Sequence, residues 1–134
     1  MLRVVFLFSV LWSMVGQAFA DGHVKRIIST SETALGNKIV YPAGEAKVTA
    51  FEFTVPVGAP VPAHTHSFPI LLMIQQGEVT LDYGDGNSKV YRPGDAFIED
   101  VGIVHTATNT GDVPIKALVV ALGVEGQKIM TPVQ

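Results

Sequence analysis

Short strand-forming runs separated by glycine and proline turns limit what this chain can fold into more than any other feature. Between residues 47 and 123, β-branched and aromatic residues cluster in short runs, and each run ends at a turn rich in Gly, Pro, Asn or Asp. In one run Val79, Leu81 and Tyr83 share a face, because side chains alternate along a strand. This region has no long helical period. The pattern predicts an all-β sandwich or barrel over residues 47–123.

Residues 1–20 have the organisation of a secretory signal peptide. Arg3 supplies a positive charge, residues 4–15 are almost wholly apolar, and Ala18-Phe19-Ala20 has the small-x-small pattern of a cleavage site. The alternative is an uncleaved anchor, but the apolar stretch is shorter than the roughly 20 residues that span a membrane. We therefore predict cleavage after Ala20, a periplasmic or secreted protein, and no membrane contact after cleavage.

The segments on either side of the predicted barrel are expected to be peripheral. Residues 21–46 are predicted to form an N-terminal arm with one or two strands, at residues 25–28 and 38–41, and residues 124–134 a C-terminal tail. Cleavage after Ala20 would leave Asp21-Gly22-His23 at the N-terminus. Its amine, two amide nitrogens and imidazole could surround copper(II) in a plane. The alternative is that His23 stands third in the mature chain by chance.

Composition excludes several kinds of protein. The formal net charge is −3 and no basic stripe is present, so we expect no nucleic-acid partner. The chain has no cysteine, which excludes disulfides, thiolate metal ligands and a cysteine nucleophile. Nor does it contain a Ser/His/Asp arrangement or a phosphate-binding loop. Any chemistry must therefore depend on other groups, and the histidines are the first candidates.

His64-Thr65-His66 is the most informative tripeptide in the sequence. Residues i and i+2 of an extended segment project to the same face, so the two imidazoles can point at one spot. That arrangement suits a metal ion held by a strand. The alternative is a pair of exposed turn histidines, and two residues alone do not decide between these readings.

The residues around this tripeptide extend the pattern and resemble the cupin superfamily. The first cupin motif runs Gly, five residues, His-x-His, three or four residues, Glu, six residues, Gly. The second runs Gly, five residues, Pro-x-Gly, two residues, His, three residues, Asn. Matching positions here are Gly58, His64, His66, Gly77, Gly94, Gly102, His105 and Asn109. The resemblance implies a cupin double-stranded β-helix, a jelly-roll-like barrel, in which the three histidines bind one divalent transition metal (Fe, Zn, Cu, Ni or Mn).

Two positions depart from the cupin pattern. Ile70 stands where the first motif has its glutamate, and Asp100 stands where the second has its proline. With Ile70, the resemblance implies three neutral ligands, which leave the 2+ charge of the ion uncompensated and favour an anionic ligand or substrate. With Asp100, the turn before Gly102 lacks the φ restraint of proline.

Glu99 is the one further candidate for a catalytic role. It ends the apolar run Ala96-Phe97-Ile98 and shares a face with Phe97 by alternation. If Phe97 points into the barrel, Glu99 lies close to the imidazoles as a fourth ligand or as a partner that orients a histidine. If Ile98 is the inward residue, Glu99 ends its strand in water, where unpaired carboxylates usually lie.

Two classes of function follow from these residues. The first is a metal-dependent oxidoreductase of the dioxygenase type that acts on a small chelating organic anion. The second is a non-catalytic cupin that binds a metal or small ligand. Cupins commonly pair through their sheets, so the resemblance also implies a homodimer. Because one fold hosts many functions, the resemblance alone does not choose between the classes.

Overall fold

The structure, a computed structural model, describes residues 23–133, and these residues form strands and no helix. The predicted signal peptide and two residues of the predicted copper motif, Asp21 and Gly22, lie outside the described residues. Within the described part of the chain, no helix has the length and apolar character needed to cross a membrane. The strands are β1 (Ala46–Val55), β2 (Pro60–Thr65), β3 (Ile70–Gln76), β4 (Val79–Asp82), β5 (Ser88–Tyr91), β6 (Ala96–Glu99), β7 (His105–Asn109), β8 (Ile115–Val124) and β9 (Thr131–Pro132).

These strands form two antiparallel sheets with the order β1-β8-β3-β6 and β5-β4-β7-β2-β9. Strand β3 shows why the sheets enclose a core: Ile70, Leu72 and Ile74 are buried, whereas Leu71 and Met73 between them are half-buried. This alternation gives the strand one face for the interior. The prediction of an all-β, cupin-like jelly roll is confirmed.

Gly77 closes the turn between β3 and β4 in a conformation that other residues rarely adopt. Its φ is +78°, and a Cβ atom there would lie 2.9 Å from both the Cα of Ile115 and the carbonyl oxygen of Pro114. Both the backbone angle and the missing side chain are therefore required. The turn at Gly77 therefore lies directly against the start of β8.

The N-terminal arm differs from its prediction. Residues 25–28 and 38–41 form no strand, and the only pairing in the arm, among the described residues, is an isolated bridge between Glu32 and Lys38. The arm is instead fastened to the barrel by Asp100, which is fully buried. The Asp100 carboxylate accepts hydrogen bonds from the Thr33 hydroxyl, from Leu35 N (3.1 Å) and from Asn37 Nδ2 (2.7 Å). Asp100, one of the two residues that depart from the cupin pattern, thus anchors the arm.

The C-terminal segment belongs to the barrel wall. Strand β9 pairs with β2, where Thr131 lies opposite Thr65, and Val133 N donates to the Ala63 carbonyl at 2.9 Å. Just before β9, the carbonyl of Ile129 reaches one of the histidines. Residues predicted as a peripheral tail therefore cover the end of the barrel that holds the candidate site.

Candidate metal centre

The structure brings the three predicted histidines together at one end of the barrel. His64 lies in β2 opposite His105, the first residue of β7, and His66 follows β2, where it forms a parallel bridge with Val101. All three side chains are buried. The ring centroids are 4.4–5.3 Å apart, and one nitrogen from each ring lies within 4.8 Å of the others.

Backbone carbonyls fix the protonation of these rings. The Nδ1 atoms of His64, His66 and His105 lie 2.7, 2.6 and 3.1 Å from the carbonyl oxygens of Pro62, Ile129 and Ile103, respectively. Because a carbonyl can only accept, each Nδ1 must carry the hydrogen and donate it. In the neutral ring this leaves the lone pair on Nε2, the state that a metal ligand requires.

Glu99 faces the histidines and is buried, so the reading that places it in water is wrong. Its carboxylate oxygens lie 2.9 Å from His66 Nε2 and 3.3 Å from His105 Nε2. Glu99 lies directly opposite Ile70 across the β6–β3 pair, and both side chains line the same cavity. The carboxylate that the cupin pattern places at Ile70 is therefore present, one strand away.

The contacts between Glu99 and the histidines shift the pKa values of these groups. Burial alone would raise the pKa of Glu99, but the contacts with His105 and His66 outweigh it and lower the pKa to about 2. Burial also lowers the pKa of His105, and the close contact with the negatively charged Glu99 carboxylate outweighs that effect, so the net pKa is raised. His64 has a lowered pKa, chiefly because it is buried. The ionised carboxylate thus favours a positive charge between itself and the rings.

The donor set fits a metal ion. Neither His66 Nε2 nor His105 Nε2 has an aligned hydrogen-bond partner, although carboxylate oxygens lie close to both. A lone pair and a carboxylate this close repel unless a cation lies between them, and a proton on Nε2 is poorly directed for that role. At metal–nitrogen distances of about 2.0–2.1 Å and tetrahedral angles, ligating nitrogens lie about 3.4 Å apart. The ligand atoms here lie within 4.8 Å of one another, so the rings would approach by up to about 1.4 Å to close the site.

The site opens into a large apolar cavity. The cavity has a volume of about 340 Å³ and is lined by residues of both sheets, with His64, His66 and Glu99 at one end. Most of the remaining lining is aliphatic or aromatic, including Leu72, Phe97 and Val119.

Sequence reasoning missed three residues near the site. Asp100 was assigned only a weakened turn, and Ile129 was placed in a peripheral tail, although its carbonyl orients His66. Tyr83 was given no role, but its ring lies 5.7 Å from the His105 ring, and its hydroxyl is buried without a hydrogen-bond partner. Burial raises the pKa of Tyr83 well above its usual range, so the phenol stays neutral. Only the inward alternation of Val79, Leu81 and Tyr83 could have indicated its position.

Several solved structures resemble this chain. The DMSP lyase DddQ from Ruegeria pomeroyi DSS-3 is 25% identical, with a TM-score of 0.53 over 63% of this chain and 42% of that chain. The polyketide cyclase RemF from Streptomyces resistomycificus is 24% identical, with a TM-score of 0.53 over 69% and 63%. A cupin-like protein from Thermotoga maritima MSB8 is 14% identical, with a TM-score of 0.58 over 64% of each chain. The chain therefore spans less than two thirds of each of these proteins.

The comparison with family models identifies the family of the chain. No curated protein matches the sequence. The family model described as the cupin domain matches residues 51–121, more than half of the chain, and this range contains the three histidines and Glu99. The chain belongs to the cupin family.

Proposed function

We propose that His64, His66, His105 and Glu99 hold one divalent transition metal, and that the protein is a metal-dependent oxidoreductase of the dioxygenase type acting on a small chelating organic anion. The observation that carries the proposal is a set of three buried imidazoles whose Nδ1 atoms are all engaged by carbonyls. The Nε2 atoms of His66 and His105 have no aligned partner and lie beside the Glu99 carboxylate. Such nitrogen and oxygen donors suit Fe, Zn, Cu, Ni and Mn.

The charge of this donor set favours an anionic substrate. Three neutral imidazoles and one carboxylate leave a 2+ ion with one uncompensated positive charge. A chelating monoanion would neutralise it in a region where most of the lining is apolar. Three histidines alone would leave both charges of the ion uncompensated, and Glu99, which the sequence left open as a fourth ligand, reduces that charge by one unit.

The remaining residues of the cavity support chemistry at a metal more than chemistry by side chains. Among the described residues that line the cavity, the polar ones are His64, His66, Glu99, Thr108 and Asn109. Glu99 is engaged by two imidazoles, and no lysine, arginine, serine or tyrosine lines the cavity. A bound metal would supply a Lewis acid and open positions for substrate and dioxygen. The protein residues would orient the substrate and exclude water.

Metal analysis and oxygen uptake test this proposal. Purified protein should contain about one ion per chain, and His64→Ala, His66→Ala and His105→Ala should each bring this close to zero. His23→Ala, in the exposed part of the arm, is the matched control: it should retain the ion of the barrel and lose only copper held by the predicted N-terminal motif. Oxygen uptake with chelating monoanions should follow metal content. Full metal content without any oxygen uptake would favour the non-catalytic class, and retention of the ion by the three variants would refute the centre.

We also propose that the protein acts outside the cytoplasm as a homodimer. The signal-like residues 1–20 support export. Strand β1 supports dimerisation, because it is an edge of the four-stranded sheet and carries the exposed apolar residue Val48. Mass spectrometry of protein from the periplasm or medium should place the new N-terminus at Asp21, and light scattering should give twice the mass of one mature chain.

A further inference from the structure

The distribution of polar groups in the cavity limits what can occupy it. At one end lie His64, His66 and Glu99. Away from that end the lining contains no charged residue, and its members are mostly aliphatic or aromatic, for example Leu72, Ile74, Leu81, Phe97 and Val119.

The two other polar residues of the lining, Asn109 and Thr108, offer no free hydrogen-bonding group to a ligand. Asn109 uses its whole amide within the protein: Nδ2 donates to the carbonyls of Val55 (3.0 Å) and Val113 (2.9 Å), and Oδ1 accepts from Gly111 N (3.0 Å). Thr108 lies on the opposite face of β7 from Asn109, because side chains alternate along a strand. The free polar groups of the cavity are thus confined to the metal end.

The cavity opens at an apolar rim. Phe51 on β1 and Met130 before β9 both line the cavity and are 38% and 44% exposed, respectively. Met130 follows Ile129, whose carbonyl accepts from His66, so this rim lies beside the metal end. A ligand held at the histidines meets apolar side chains both at the rim and along the rest of the cavity. A polar group along its body would lose its water and gain no partner.

We propose that the ligand of this site is an amphiphilic monoanion, with one chelating head that binds the metal and an aliphatic or aromatic body that fills the cavity and carries no second charge. The proposal rests on the metal centre proposed above and adds the class of substrate. Sugars, dicarboxylates and other ligands with polar groups along the body are excluded, because the cavity has no partner for those groups.

A series of alkyl hydroxamates tests the apolar body. Hydroxamates chelate metals as monoanions, so acetohydroxamate to octanohydroxamate share one head and differ only in tail length. Titrated into zinc-loaded protein by calorimetry, each added methylene should lower the Kd about fourfold until the cavity is full, as about 0.8 kcal/mol per buried methylene implies. The octanohydroxamate analogue with a terminal carboxylate should bind at least about tenfold more weakly than octanohydroxamate. Equal affinities along the series, or equal affinity for the two octyl compounds, would overturn the proposal.

A variant that fills the cavity separates the tail from the head. Ala117 is buried and lines the cavity, so Ala117→Leu should end the gain in affinity at a shorter tail and leave acetohydroxamate binding unchanged. Ala50→Leu, on the exposed face of β1, is the matched control and should behave like wild type. The wild-type series decides the proposal if Ala117→Leu does not fold.

The outcomes also distinguish this inference from the proposed function. Failure to bind zinc or acetohydroxamate would refute the metal centre itself. Binding of both, without dependence on tail length, would refute only the apolar ligand class.

Discussion

Replacing Asp100 by alanine tests whether the arm contributes to the stability of the barrel. The substitution removes the carboxylate that accepts hydrogen bonds from Thr33, Leu35 N and Asn37. A hydrogen bond to a charged acceptor contributes about 1.5–3 kcal/mol, so the three bonds would sum to at least about 4.5 kcal/mol if the arm stayed in place. The arm can move away and expose its donors to water, which reduces the cost. We therefore expect the free energy of unfolding to fall by about 3 kcal/mol.

The assay is urea unfolding of the metal-free protein, followed by circular dichroism because the only tryptophan, Trp12, lies in the predicted signal peptide. Asp100→Asn keeps one acceptor oxygen without the charge and should lose about half as much stability as Asp100→Ala. Trypsin should cleave after Lys38, in the arm, faster in Asp100→Ala than in wild type. Asp112→Ala, in an exposed turn, is the control. A loss below about 1 kcal/mol with unchanged cleavage would refute the reasoning.

Three further predictions concern the barrel interior. Glu99→Ile should weaken zinc binding about 10–100-fold. The double variant Ile70→Glu/Glu99→Ile should recover much of the affinity, because the two positions face each other across β3 and β6. A double variant that binds zinc as weakly as Glu99→Ile would show that the positions are not equivalent. Because the pKa of Glu99 is about 2, below its ordinary 4.5, its contribution to the stability of the metal-free protein is complete above pH 4.5 and is lost as the pH falls towards 2. Acid unfolding of wild type and Glu99→Gln should therefore differ in slope across that window, and parallel curves would contradict the assignment. Tyr83→Phe removes a buried hydroxyl without a partner and should raise the free energy of unfolding by about 1 kcal/mol in urea titrations, whereas a loss would reveal an interaction of that hydroxyl.

Local sequence patterns predicted the barrel well because its strands obey local rules. Turns such as that at Gly77 depend on the backbone freedom of a residue at a fixed position, and alternation gave the buried face of β3. The prediction of strands in the arm was wrong because the arm is held by contacts that are distant in sequence. Residues 25–28 resemble a strand in composition but find no partner strand, and the bonds that hold the arm reach Asp100 more than sixty residues away. No local pattern contains such a contact.

Alternation also left the orientation of Glu99 open for a physical reason. It predicts that either Phe97 and Glu99 or Ile98 face the interior, yet all three are buried. Phe97 and Glu99 line the cavity, while the Ile98 carbonyl accepts a hydrogen bond from Ala34 N of the arm. A strand covered from more than one side has no polar face to reveal its orientation. The spacing of the histidines was informative because they stand at the fixed distances from glycine that the motif requires, whereas the carboxylate stands on β6 instead of at position 70 of β3.

The bond between His66 and the Ile129 carbonyl has a consequence for mutagenesis. The carbonyl belongs to the backbone, so Ile129→Ala keeps the atom that orients the ring. A scan of single substitutions would score this position by its apolar side chain alone and overlook its contact with the site. Deleting residues 128–134 would remove both the carbonyl and the β9 pairing with β2. Deletion of this segment should therefore impair metal binding, although single substitutions within it should have little effect on metal binding.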